Sequence, residues 1–137
     1  MARGEVGKLN CIVKIFVVPK YYSGKLHNSL KGEGRFNSEL SKTADNRRII
    51  FLVDGDRNAI YQKIPGSKTD EQQQDVDLFL RLAKERGFET IDMQPIFEQH
   101  WLDYHERMDF LPIDGHWNPV AHRLAADAIL KKLEKRS

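Results

Sequence analysis

Ile49-Ile-Phe-Leu-Val53 is an unbroken run of five apolar residues that passes directly into the polar segment Asp54-Gly-Asp-Arg-Asn58. A strand with one wet face alternates apolar and polar residues, whereas a continuous apolar run is what a strand needs when helices cover both faces of its sheet. The run therefore predicts an inner strand of a parallel sheet. The turn-forming residues after it then lie at the strand's C-terminal end, the edge where open α/β sheets bind their ligands.

Working outward, Ile12 to Val18 is β-branched and aromatic, stops at Pro19 and predicts a second buried strand. Between the two strands, Lys20 to Gly34 carries Tyr21, Tyr22, Ser23 and three glycines and reads as a long loop; Phe36 to Ala44 follows as a short helix. Downstream, Thr69-Asp-Glu-Gln72 has the form of a capping box. Val76, Phe79, Leu80 and Ala83 then recur at helical spacing up to a stop at Gly87. Phe88 to Met93 reads as a third strand. A helix is predicted from about Pro95 to Arg107, with Phe97, Trp101, Tyr104 and Met108 on one face and His100 and His105 off it, hence peripheral. A loop from Asp109 to Trp117 leads to a last helix with Asn118 as N-cap, Pro119 at its first position and Leu124, Ala125, Ala128 and Ile129 facing inward. Strands alternating with helices in this way predict one α/β domain over residues 1–137, a three-layer sandwich of flavodoxin-like type around a parallel sheet.

The totals narrow the function. With 22 Lys and Arg against 20 Asp and Glu, the net charge of +2 carries no electrostatic argument for nucleic acid, and the basic residues are scattered rather than striped. The single cysteine, Cys11, makes no intrachain disulfide and reads as a small buried residue. No run approaches the roughly 20 apolar residues of a membrane span, and the short run at the N-terminus is interrupted by Lys14 and lacks a cleavage site, so the default expectation is a cytoplasmic protein. Asp54, Asp56 and Asn58 have the opening spacing of a calcium loop, but the later glycine is missing and Pro65 stands where the closing glutamate belongs. No metal and no cofactor is expected.

Asp114-Gly-His116 is where chemistry concentrates. Two residues apart in an extended segment, the side chains share one side, so the carboxylate can hold one imidazole nitrogen and leave the other as a base. Trp117 beside the pair either packs the loop against the last helix or walls a substrate subsite.

The longer word Asp114-Gly-His-Trp-Asn-Pro-Val-Ala-His-Arg-Leu-Ala-Ala126 resembles the C-terminal block of the SGNH (GDSL-type) hydrolases. In that family an Asp and a His on a loop before the final helix complete a Ser-His-Asp triad. Residues 36–137 match the family's pattern well and residues 1–35 poorly, so the chain looks like a C-terminal portion of that fold. The resemblance implies that Asp114 is the orienting acid, His116 the base, and the reaction acyl transfer on a small-molecule or carbohydrate ester, as in an esterase or acetyl hydrolase. The family's Gly-Asp-Ser nucleophile motif is not found after the first strand; among the five internal serines only Ser23 falls where a strand's C-terminal edge is expected, without the motif around it. The chain alone is then expected to be inactive or nearly so. Two alternatives stand beside this reading: a catalytically inactive SGNH-like domain that binds a ligand or partner, and a metal-dependent hydrolase using Asp114, His116 and His122. An incomplete sheet would also leave an unpaired edge through which the chain forms a homodimer.

Overall fold

The computed structural model describes residues 12–18, 47–62 and 70–135. Three strands, β1 (Ile12–Val18), β2 (Arg47–Val53) and β3 (Glu89–Asp92), form a parallel sheet in the order β1-β2-β3. The register aligns Val18 with Val53 and Val53 with Asp92, so all three strands end level. The chain then continues from one common edge, and that edge carries the polar residues described below.

β2 is buried on both faces, as its unbroken apolar run requires. Ile49, Phe51 and Val53 pack against Val76, Phe79 and Ala83 of helix α2 (Asp70–Glu85). Ile50 and Leu52 face the other way, onto Ile60 of α1 (Arg57–Gln62), Met93 and Phe97 of α3 (Met93–Tyr104), and Ala121 and Ala125 of α4 (Pro119–Glu134). The result is the predicted three-layer α/β arrangement. Phe51, Phe79 and Phe97 are among the largest fully buried side chains, each contributing about 1.5–3 kcal/mol through burial. Edge-on contacts of Phe51 with Phe79 and Phe88, at 5.4 Å each, order the α2 side. Among the described residues β1 and β3 are the sheet's edges, and Ile15, Phe16 and Val17 of β1 are exposed.

Local sequence explains the helix ends. α2 stops at Gly87, whose φ of +81° suits glycine, and Phe88 N–H closes the last turn onto Ala83 O at 2.9 Å. The capping box proposed at Thr69 and Gln72, the long loop and short helix between 20 and 44, Cys11 and Ser23 lie outside the described residues.

Several expectations need correction. The third helix runs over Met93–Tyr104 rather than Pro95–Arg107. Asp92 caps it by accepting from Gln94 N–H at 3.0 Å, and His105 ends it in the left-handed region at φ 51°. His100 is buried, not peripheral, and its ring lies against Tyr104 at 4.9 Å. Tyr104, assigned to the inner stripe, is the last helical residue and is exposed. The polar segment after β2 opens a short helix, α1, that apolar periodicity does not reveal. The segment Asp109 to Trp117 is a small antiparallel hairpin, β4 (Asp109–Phe110) and β5 (Asp114–Trp117), rather than an irregular loop.

Candidate active site

The C-terminal ends of β1 and β2, the start of α1, the hairpin and the start of α4 surround a cavity of about 710 Å³. Asp54, Arg57, Asp114, His116, Trp117 and His122 line it. Its polar wall begins where β2 runs out of apolar residues. Asp54 Oδ1 accepts from Gly55 N–H at 2.8 Å and from the Trp117 indole N–H at 2.9 Å, and Oδ2 accepts from Arg57 at 3.1 Å. Asp56 caps α1 by accepting from Ala59 N–H at 3.0 Å. Asn58 accepts from Gln62 at 3.1 Å. The carboxylates that open the calcium-loop spacing are therefore engaged in a cap and a side-chain network.

Gly55 follows Asp54 because nothing larger fits. A Cβ there would stand 2.9 Å from Phe97 Cδ2 and 3.1 Å from Gln94 Cα, so the first turn of α3 presses directly on this backbone. Gln94 returns the contact by accepting from Asp56 N–H at 2.7 Å.

At the other wall, Asn118 does two jobs. Its side-chain oxygen caps α4 by accepting from Val120 and Ala121 N–H, at 2.9 and 3.2 Å. Its amide group donates to Arg107 O at 2.8 Å, and its backbone N–H donates to Met108 O at 3.1 Å. The hairpin's base is thereby tied to the helix that follows it. Trp117 is also fixed on several sides: its ring meets Phe97 edge-on at 5.8 Å and lies 5.6 Å from His122. The two roles considered for Trp117 therefore coincide in position, since it packs on the core and lines the cavity.

Asp114 and His116 occupy one strand, β5, with Gly115 between them. Asp114 Oδ1 accepts from His116 backbone N–H at 2.9 Å and meets His116 Nδ1 in a close contact. A carboxylate only accepts, so Nδ1 carries the proton and Nε2 is left as the atom able to take one. The backbone bond first, and then the imidazole bond, hold the Asp114 carboxyl below the usual carboxylate range. Asp114 thus stays an anion over the pH range in which an imidazole acts as a base. The His116 side chain is 86 % exposed, so its ring is open to solvent.

Sequence reasoning missed a buried polar cluster beneath this pair. The Asp109 side chain has no exposure; it accepts from Arg57 at 3.2 Å, Tyr61 O–H at 3.1 Å and Leu111 N–H at 3.1 Å. Tyr61 O–H in turn accepts from Met108 N–H at 2.8 Å, and burial raises its pKa above the ordinary tyrosine value. Arg57 also donates to Gly115 O at 2.8 Å. One signal existed in the sequence: Arg57 follows two acidic residues in the polar segment after the inner strand, where an unpaired cation is expected to find acceptors.

Ser23 lies outside the described residues, as do all the other serines of the chain. Among the described residues no three His, Cys, Asp or Glu side chains form a metal-ligating group. Asp114, His116 and His122, considered as a ligand set from the sequence, are all described and are not brought together as such a group. Among the described residues no helix is long and apolar enough to cross a membrane.

The family model described as an SGNH hydrolase-like domain, acetyltransferase AlgX, matches residues 19–137, reaching upstream of residue 36, where the recognisable motifs begin. No curated protein and no solved structure matches the chain.

Proposed function

The chain belongs to the SGNH hydrolase-like domain family of acetyltransferase AlgX, and from that premise we propose that it is an acyl-transfer domain in which Asp114 orients His116 as general base. One observation carries the reading: the Asp114–His116 contact leaves Nε2 free at the wall of a cavity on the ligand-binding edge of the sheet. In the proposed reaction Nε2 takes the proton of a serine hydroxyl as its oxygen attacks the carbonyl carbon of an ester. Asp114 stabilises the imidazolium that forms. The imidazolium returns the proton to the leaving alcohol as the tetrahedral intermediate collapses to an acyl-serine. A second hydroxyl, from water in a hydrolase or from an acceptor alcohol in a transferase, then attacks under the same base. The family's description as an acetyltransferase makes acetyl the acyl group of choice, and 710 Å³ leaves room for a donor or acceptor of modest size.

The test is turnover of p-nitrophenyl acetate by the protein as encoded, including any sequence on either side of these 137 residues, with His116→Ala as the control. The expected result is activity that falls at least ~10³-fold in the variant, in line with the loss of a triad member. Activity equal in both proteins would remove His116 from the chemistry. Absence of turnover together with saturable ester binding in both would instead establish a binding domain.

A further inference from the structure

We infer that Arg57 is a positioning residue for the Asp114–His116 pair: its guanidinium fixes the Gly115 peptide and so sets the turn on which acid and base meet. The pair needs such a device. Asp114 and His116 are 49 % and 86 % exposed, and Ile113 before them is 93 % exposed, so packing does little to hold this end of the hairpin. A Cβ on Gly115 would meet nothing closer than Leu111 at 3.9 Å. An exposed side-chain contact held only by itself is weak and samples many geometries.

Arg57 supplies the missing constraint from below. Its side chain is 12 % exposed, and its two terminal nitrogens reach three acceptors on three separate pieces of chain. These are Asp54 Oδ2 at the end of β2 (3.1 Å), Asp109 Oδ2 in β4 (3.2 Å) and Gly115 O in β5 (2.8 Å). A planar guanidinium holds such a set in fixed mutual geometry, which a single ammonium does not. Its charge is matched by two carboxylates, and Asp109 is itself locked by Tyr61 and Leu111. Arg57 therefore acts on the hairpin and not as a site for an anionic ligand. The peptide it grips lies between the two residues of the pair, and the direction of that carbonyl decides whether the His116 N–H and imidazole both reach Asp114 Oδ1.

The inference rests on the reading of Asp114 and His116 as acid and base, yet its test needs no turnover. Nitrogen-15 NMR of the histidine side chains reports which tautomer His116 adopts. Wild type is expected to hold the Nδ1–H form. In Arg57→Met and in Arg57→Lys that population is expected to fall by about twofold or more toward the mixture of a free imidazole. Arg48→Met, which breaks the bidentate pair to Glu89 elsewhere on the sheet, is expected to lower stability while leaving the His116 tautomer unchanged. An unchanged tautomer in a folded Arg57 variant overturns the inference. So does a freely rotating Arg57 guanidinium in wild type, a measurement that depends on no variant folding. An Arg57-dependent tautomer in a protein without His116-dependent chemistry would sink the catalytic reading alone.

Discussion

Asp109→Asn is the most informative perturbation of the support beneath the site. The side chain has no exposure, and its two oxygens have different partners: Oδ1 accepts from Leu111 N–H and lies 3.7 Å from the Arg107 guanidinium, and Oδ2 accepts from Arg57 and Tyr61. An amide of the same shape offers one acceptor and one donor group. Whichever way it turns, a donor faces a donor: Leu111 N–H on one side, or Arg57 and Tyr61 on the other. Removing one partner of a buried charge pair costs about 3–5 kcal/mol. Arg57 keeps Asp54 and Gly115 O, which places the expected loss near the lower end, at about 3 kcal/mol. That is roughly a hundredfold in the folded-to-unfolded ratio, and on the order of 10 °C in Tm for a domain of this size. Urea titration followed by tryptophan fluorescence is the assay, because Trp117 hydrogen-bonds Asp54 and Trp101 lies 4.8 Å from Tyr61. The slope with denaturant is expected to stay constant while the midpoint falls. In an Arg57→Met background the same change is expected to cost at least ~1 kcal/mol less, since residues in direct contact couple. A loss below about 1 kcal/mol, or the same loss in both backgrounds, would refute the argument that these charges act as a unit.

Two further outcomes follow from the geometry. Gly55→Ala drives a Cβ into Phe97 and the α3 backbone and is expected to cost about 1–3 kcal/mol as overpacking; an unshifted denaturation midpoint would show that α3 yields freely. The Asp114 carboxyl, held below the usual range by the His116 N–H first and the imidazole second, is expected to titrate below ordinary aspartates by carbon-13 NMR. In the sign of linkage its contribution is present above the unfolded carboxyl's pKa and fades as pH falls through the folded value. Because the backbone bond survives His116→Ala, Asp114 should move only part of the way back, and complete reversion would contradict that ranking of causes.

The parts of the fold legible in the sequence are those written as short-range pattern. Ile49 to Val53 announces a strand buried on both faces through five consecutive residues, and Val76, Phe79 and Ala83 announce α2 through their spacing. Asn118-Pro119 marks the start of α4, because capping is local chemistry. The contact of Asp114 with His116 is legible for the same reason, the two being two residues apart on one strand. What escaped depends on partners distant in sequence. Arg57 meets Asp109 and Gly115 across 52 and 58 residues, and Tyr61 meets Met108 across 47. No periodicity records such pairs. His100 is buried although it lies off the apolar stripe of α3, which its spacing alone does not reveal. α1 is set by the Asp56 cap and one buried side chain, Ile60, too little for a helical pattern to show.

The most direct test of the proposed chemistry is covalent labelling by a fluorophosphonate, read by peptide mass spectrometry on the protein as encoded. A fluorophosphonate reacts with a serine whose hydroxyl is activated by an adjacent base, so the experiment asks at once whether such a serine exists and whether His116 activates it. The expected result is one phosphonylated serine, with labelling suppressed in His116→Ala and weakened in Asp114→Asn. No adduct on any serine, or labelling as fast in His116→Ala as in wild type, would contradict the assignment of Asp114 and His116 as the acid and base of an acyl-transfer site.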